Sequence, residues 1–226
     1  MWFFQSGMTL ENAIIRIVAS LAIIFLVMPF HEFAHGFVAH LCGDDTAKIT
    51  GRLSMNPLNN VDPLGAAAIL ILGMGWAKPV PIDVYNFRNK KAGIFFTYLA
   101  GPALNILAAI LAGFIFNIFL YFGYSLSKNF LNIVLLFLYY FMQISIGIAT
   151  FNLVPLPGLD GFFMLSVFVP DKLLMKFYRY QHYIMFGVML LLFAGFLSAP
   201  LSLLDHYVYK SIIWFTGLPF SLAGII

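Results

Sequence analysis

Leu21-Ala22-Ile23-Ile24-Phe25-Leu26-Val27-Met28-Pro29-Phe30-His31-Glu32-Phe33-Ala34-His35-Gly36-Phe37-Val38-Ala39 sets an HExxH signature inside an almost wholly apolar run. Histidines four residues apart on a helix lie about 40° apart around its axis, so His31 and His35 can share one metal ion. Glu32 lies beside them and can take a proton from a water that the metal activates. Soluble zinc proteins carry the same motif. Here the apolar flanks move the expected chemistry into a membrane.

Composition points the same way. The chain has 226 residues, 62% of them hydrophobic and only 9% charged, whereas a soluble domain is about 25% charged. Mean hydropathy is +0.94. The expected fold is an all-α polytopic membrane protein with about four to six transmembrane helices. Net charge is +3, and the basic residues follow the ends of the spans without forming a patch. That distribution excludes a nucleic-acid partner. A single cysteine, Cys42, excludes an internal disulfide. Met1 to Met8 contain no lysine or arginine, and the apolar run from Ile14 continues into the metal motif. No cleavable signal peptide is therefore expected.

The first apolar segment runs from Leu10 to Cys42. A straight helix of that length measures roughly 50 Å, against a hydrocarbon core of ~30 Å. Tilt, protrusion or a kink at Pro29 must absorb the excess. Residues 43–91 are the most polar part of the chain. Thr46 to Leu53 alternate loosely and read as a strand, and Ala66 to Met74 is too short to cross. A re-entrant or extended membrane-associated segment is thus expected between the first two long helices. Pro79 and Pro81 forbid helix in Trp76 to Ile82 and favour an extended edge. Further apolar segments are Ala92–Tyr124, Phe130–Val154 and Tyr183–Leu197, the last closed by Pro200. The tail from Ser211 is interrupted at Gly217-Leu218-Pro219 and reads as interfacial or a partial span. One membrane domain is expected over 1–226, with a core at about 10–170 and C-terminal helices at about 180–226.

Charge gives an orientation. Lys48, Arg52, Lys78, Arg88, Lys90 and Lys91 lie in 43–91, and Lys172, Lys176 and Arg179 lie in 155–181. The other side offers Arg16, Lys128 and Lys210. The positive-inside rule puts 43–91 and 155–181 in the cytoplasm and the N-terminus outside.

A catalytic zinc takes three protein ligands and leaves a position open. Only two glutamates exist, Glu11 and Glu32. Glu11 is about five helical turns before the motif and cannot reach the same ion from the same helix. The HExxHxxGxxH extension fails, because Val38 and Leu41 hold its last two positions. His40 points elsewhere on the helix. Asp160, flanked by Leu159 and Phe162-Phe163, remains. An unpaired acid is costly in that apolar setting, and a metal would neutralise it. An interfacial turn beside headgroups is the plainer role for Asp160; its company with HExxH favours the ligand.

With His31–His35 and Asn152-Leu153-Val154-Pro155-Leu156-Pro157-Gly158-Leu159-Asp160-Gly161 together, the chain resembles the site-2 protease family of intramembrane zinc metalloproteases. Gly51-Arg52-Leu53-Ser54-Met55-Asn56-Pro57-Leu58 and Gly101-Pro102-Ala103-Leu104-Asn105 also look familial. The resemblance covers roughly residues 20–170, without PDZ or CBS domains, as in a compact member. It implies one zinc ion on His31, His35 and Asp160, with Glu32 as catalytic base. It further implies a bacterial or archaeal plasma membrane, with an active site open to the cytoplasm.

The substrate expected is a transmembrane or signal-peptide-like segment in the lipid bilayer, locally unwound to expose its carbonyls. Asn105 and Asn152 are candidates to stabilise the oxyanion, or to hydrogen-bond between helices. Lys78, Val80 and Ile82 are candidates to hold the peptide by strand addition, if the segment is more than a connector. Two other functions compete. A non-catalytic binder or chaperone has no need of Glu32. A metal transporter calls for more midplane polar residues and repeated halves than this chain has. Substrate identity and oligomeric state leave no mark on the sequence.

Overall fold

The computed structural model describes residues 9–72, 75–196 and 198–223. Met1–Met8, and the ends of the Ala66–Met74 and Ser211–Ile226 segments, lie outside them. All regular structure among the described residues is helical: α1 Leu10–Ala22, α2 Met28–Cys42, α3 Thr46–Ile49, α4 Pro57–Asn60, α5 Pro63–Leu72, α6 Lys90–Phe122, α7 Lys128–Asn152, α8 Asp160–Ser166, α9 Asp171–Phe193 and α10 Ser198–Leu222. Three stretches are long and apolar enough to span a membrane: Leu10–Cys42, Lys90–Ser125 and Lys128–Asn152. The polytopic membrane fold is thus as expected. The helices α9 and α10, with 23 and 25 residues, have the length to cross as well.

The first span is a single rod with a π-helical turn, Ile23–Val27, at its middle. Pro29 explains the turn's place. It cannot donate to the carbonyl four residues back and its ring crowds that carbonyl, so the preceding turn widens. The buried pairs Ile15/Arg16, Ala19/Ser20, Ile23/Ile24, Val27/Met28 and His31/Glu32 recur every four residues. On an α-helix that repeat drifts by about 40° each step. The wider π turn takes back part of the drift and keeps the histidines on the protein side. A cap at Gly43, at φ 113°, closes α2 with the Gly43 and Asp44 amides on the carbonyls of His40 and Ala39. That left-handed conformation suits glycine, which has no Cβ.

Two apolar clusters hold the bundle. One joins the π turn to α5 and α7 through Ile23, Ile24, Val27, Ile69, Ile144 and Ile148. The other joins α6, α7 and α10 through Ala109, Ala112, Leu138, Met142, Ile146 and Ile212. Lipid tails are as apolar as these side chains, so close packing and interhelical hydrogen bonds carry the association. Asn117 Nδ2 donates to Thr216 Oγ1 at 2.8 Å, tying α6 to α10. Thr150 Oγ1 donates to Asp205 at 2.5 Å, tying α7 to α10.

Three expectations are corrected. Thr46 to Leu53 is no strand: Asp44 accepts from the Thr46 N–H at 3.1 Å and starts the short helix α3. The C-terminal tail is not interrupted at Gly217-Leu218-Pro219. Helix α10 begins at Ser198 and runs through Pro219 to Leu222, because a proline in the last turn removes only one hydrogen bond. The preceding helix in the chain, α9, begins at Asp171, twelve residues before the expected Tyr183. The stretch 63–72 is a ten-residue helix, about 15 Å long, too short to cross.

Candidate metal centre

Glu32 and both histidines of α2 face the protein interior, exposed by 3% at His31, 8% at Glu32 and 4% at His35. The irregular stretch after α7 returns the chain to the same place, and α8 begins with Asp160. The Nε2 atoms of His31 and His35 are 3.1 Å apart, and each lies 3.3 Å from Asp160 Oδ2. These three residues are the group among the described residues that could hold a metal ion.

The donor set fits zinc. Bonds of ~2.0–2.1 Å at tetrahedral angles put ligand atoms about 3.3 Å apart, close to the observed triangle. Two imidazoles and one carboxylate leave the fourth position open, as a catalytic site requires. His35 Nδ1 donates to the Thr97 carbonyl of α6 at 2.7 Å. That bond fixes the tautomer and turns the Nε2 lone pair toward the centre. Apart from its 3.3 Å contacts with the two imidazole Nε2 atoms, Asp160 Oδ2 has no hydrogen-bond partner among the described residues. A buried carboxylate oxygen left so is costly without a cation.

Helix α6 closes over the site. A Cβ at Gly101 would collide with His35 Nε2 and lie 2.6 Å from His31 Nε2, so only glycine allows this approach. One turn further on, Asn105 is fully buried, and neither side-chain atom has a hydrogen-bond partner among the described residues. Asn152 is only partly buried, and its Nδ2 donates back to the Ile148 carbonyl at 3.0 Å. Tyr98 lies beside His35, ring centroids 5.9 Å apart, and stacks on Phe163 at 4.5 Å.

The polar stretch between α5 and α6 covers the other flank. Residues 75–83 are neither helix nor paired strand. The Val80 N–H donates to Glu32 Oε2 at 2.9 Å. Lys78 N–H donates to the Asn60 carbonyl at 2.8 Å. Ile82 makes no such contact among the described residues. Lys78 and Pro79 carbonyls accept from Arg52 at 2.9 and 3.2 Å. Asp44, fully buried, accepts from Thr46, Asn86 and the Asp83 N–H, linking the end of α2 to this stretch. Burial alone would raise the Asp44 carboxyl, but these hydrogen bonds outweigh it and hold the group below the usual carboxylate range. His40 pairs with Asp45, away from the centre.

Sequence reasoning passed over Thr97, Arg52 and Asp44. Thr97 acts through its backbone carbonyl, which no residue type announces. Arg52 lay within the Gly51–Leu58 stretch already noted, and Asp44 beside a helix end.

No protein-family model matches the chain. No solved structure matches it. Among curated proteins, "Putative zinc metalloprotease Rip2" of Mycolicibacterium smegmatis (strain ATCC 700084 / mc(2)155) is 30% identical over 141 residues, 58% of this chain and half of that protein. "Putative zinc metalloprotease YwhC" of Bacillus subtilis (strain 168) is 35% identical over 163 residues, 71% of this chain and 74% of that protein. Given that identity over most of both chains, this chain, whose own helices are long and apolar enough to span a membrane, belongs to the family of the relative named "Putative zinc metalloprotease YwhC".

Proposed function

We propose that the protein is an intramembrane zinc endopeptidase of the site-2 protease type, cutting peptide bonds in or near transmembrane segments. The observation that carries this reading is the His31–His35–Asp160 triangle, with both histidines and Glu32 on a membrane-length helix and Asp160 brought to them by α8. One zinc ion on these three residues supplies Lewis acidity and makes water nucleophilic near neutral pH.

The chain's own residues do the rest. Glu32 takes the proton of the attacking water and returns it to the leaving amine. Val80 occupies Oε2 of that carboxylate and leaves Oε1 for the water. Asn105, buried and unpartnered among the described residues, is the better placed of the two asparagines to donate to the oxyanion. Asn152 spends one N–H on Ile148 and keeps the other. A substrate helix, transmembrane or signal-peptide-like, unwinds locally; of the candidates Lys78, Val80 and Ile82, Lys78 has both backbone groups engaged and Val80 its N–H, so the Val80 carbonyl and Ile82 hold the extended chain by its backbone. The setting proposed is a bacterial or archaeal plasma membrane, with the site open to the cytoplasm and the N-terminus outside.

The test is Glu32→Gln in full-length protein reconstituted with a membrane substrate. Zinc content should match wild type, and cleavage should fall by at least about 10²-fold. Cleavage at the wild-type rate would refute the mechanism.

A further inference from the structure

The stretch over Glu32 cannot hold itself in place. Pro79 and Pro81 have no N–H, so Val80 supplies the one amide of residues 79–81, and that amide is on Glu32 Oε2 at 2.9 Å. No neighbouring strand pairs with it among the described residues. Its carbonyls therefore need a donor from elsewhere, and Arg52 provides it. One arm of the guanidinium, Nη2, donates to Lys78 and Pro79 at 2.9 and 3.2 Å. The other arm, Nη1, donates to the Asn59 carbonyl. Asn60 completes the clamp: its carbonyl accepts from Lys78 N–H, and its Nδ2 donates to the Ser54 carbonyl at 2.8 Å.

We infer that Arg52 is a positioning residue for the catalytic base. Its planar fork pins Lys78 and Pro79 to the α4 segment, so that Val80 N–H meets Glu32 and fixes which carboxylate oxygen faces the reaction. This rests on the protease reading of Glu32. The choice of arginine follows from the geometry. A guanidinium offers five donors in a fixed fork and can bridge three carbonyls on two segments, which a single ammonium does poorly. Among the described residues Arg52 hydrogen-bonds neither the ligand triangle nor Glu32, so its effect passes through Val80.

Hydrogen exchange reads the clamp directly. The prolines leave Lys78, Val80 and Ile82 as the amides between 78 and 82, and the first two are hydrogen-bonded. In zinc-loaded full-length Arg52→Ala, Lys78 and Val80 should exchange at least tenfold faster than in wild type. Amides of α6 and α7 should be unchanged and zinc content equal. The same variant should lose about tenfold in kcat, and Arg52→Lys should recover part of both effects. Arg52→Gln serves if the alanine variant does not fold. Unchanged Val80 exchange, or wild-type kcat in Arg52→Ala, overturns the inference. So does a lysine variant no better than alanine, which marks a merely structural loss. A wild type that binds zinc but cuts no membrane substrate sinks the protease reading, while the exchange rates still decide whether Arg52 is the clamp.

Discussion

The site depends on a residue without a side chain. Gly101 brings the backbone of α6 against the Nε2 atoms of both histidines, and one turn earlier the Thr97 carbonyl orients His35. Gly101→Ala separates these effects from helix stability. Alanine is the better helix former by about 1 kcal/mol, so α6 itself gains. The added methyl nevertheless pushes the imidazoles off the triangle. Zinc affinity should fall by about 10- to 100-fold, the range seen when the surroundings of metal ligands are disturbed. Helical circular dichroism should stay at the wild-type level. Competition with a chromophoric chelator measures the affinity, and an unaltered value would mean that α6 can move away without cost to the site.

At the scale of elements, Asp44 joins the metal helix to the stretch that covers Glu32. Its contribution carries a definite sign with pH. The folded state holds the carboxyl below its ordinary range, so its stabilisation is complete above the unfolded value of about 3.9 and is lost as pH falls below it. Asp44→Asn should destabilise zinc-free protein at pH 7 by about 1–3 kcal/mol, the worth of hydrogen bonds to a buried charge. The gap to wild type should close as the pH drops below about 4. Thermal unfolding of both proteins in detergent checks this, and a gap independent of pH would remove Asp44 as the cause. Such side chain–backbone ties also mark where sequence reading stops. The i, i+4 histidines made two corners of the triangle legible through helical period, and the count of only two glutamates together with the Asn152–Gly161 stretch pointed to Asp160 as the third. The π turn at Pro29 was legible only as a kink. The α3 turn was not, since loose alternation looked like a strand and the hydrogen bond from the Thr46 N–H to Asp44 outweighed it. Nor were the contacts of Thr97 and Val80, which use a backbone carbonyl and a backbone N–H and not their side chains.

At the scale of the whole molecule, the metal triangle and the polar belt share one side of the bundle. Asp44, Arg52 and Val80 all belong to residues 43–91, and Val80 touches Glu32. That belt carries six of the basic residues, Lys48, Arg52, Lys78, Arg88, Lys90 and Lys91. The connection between α6 and α7 lies at the far end of a 33-residue helix, about 50 Å away. If the basic side is cytoplasmic, water reaches Glu32 from the cytosol and substrate unwinds toward that face. Two exposed tyrosines test this, Tyr85 in the belt at 83% exposure and Tyr124 beyond α6 at 86%. With Cys42 replaced by serine, each position takes a single cysteine. A membrane-impermeant maleimide should label Tyr124→Cys in intact cells, and Tyr85→Cys only after permeabilisation. The opposite pattern would put Glu32 on the outer face, and hydrolytic water would then enter from outside the cell.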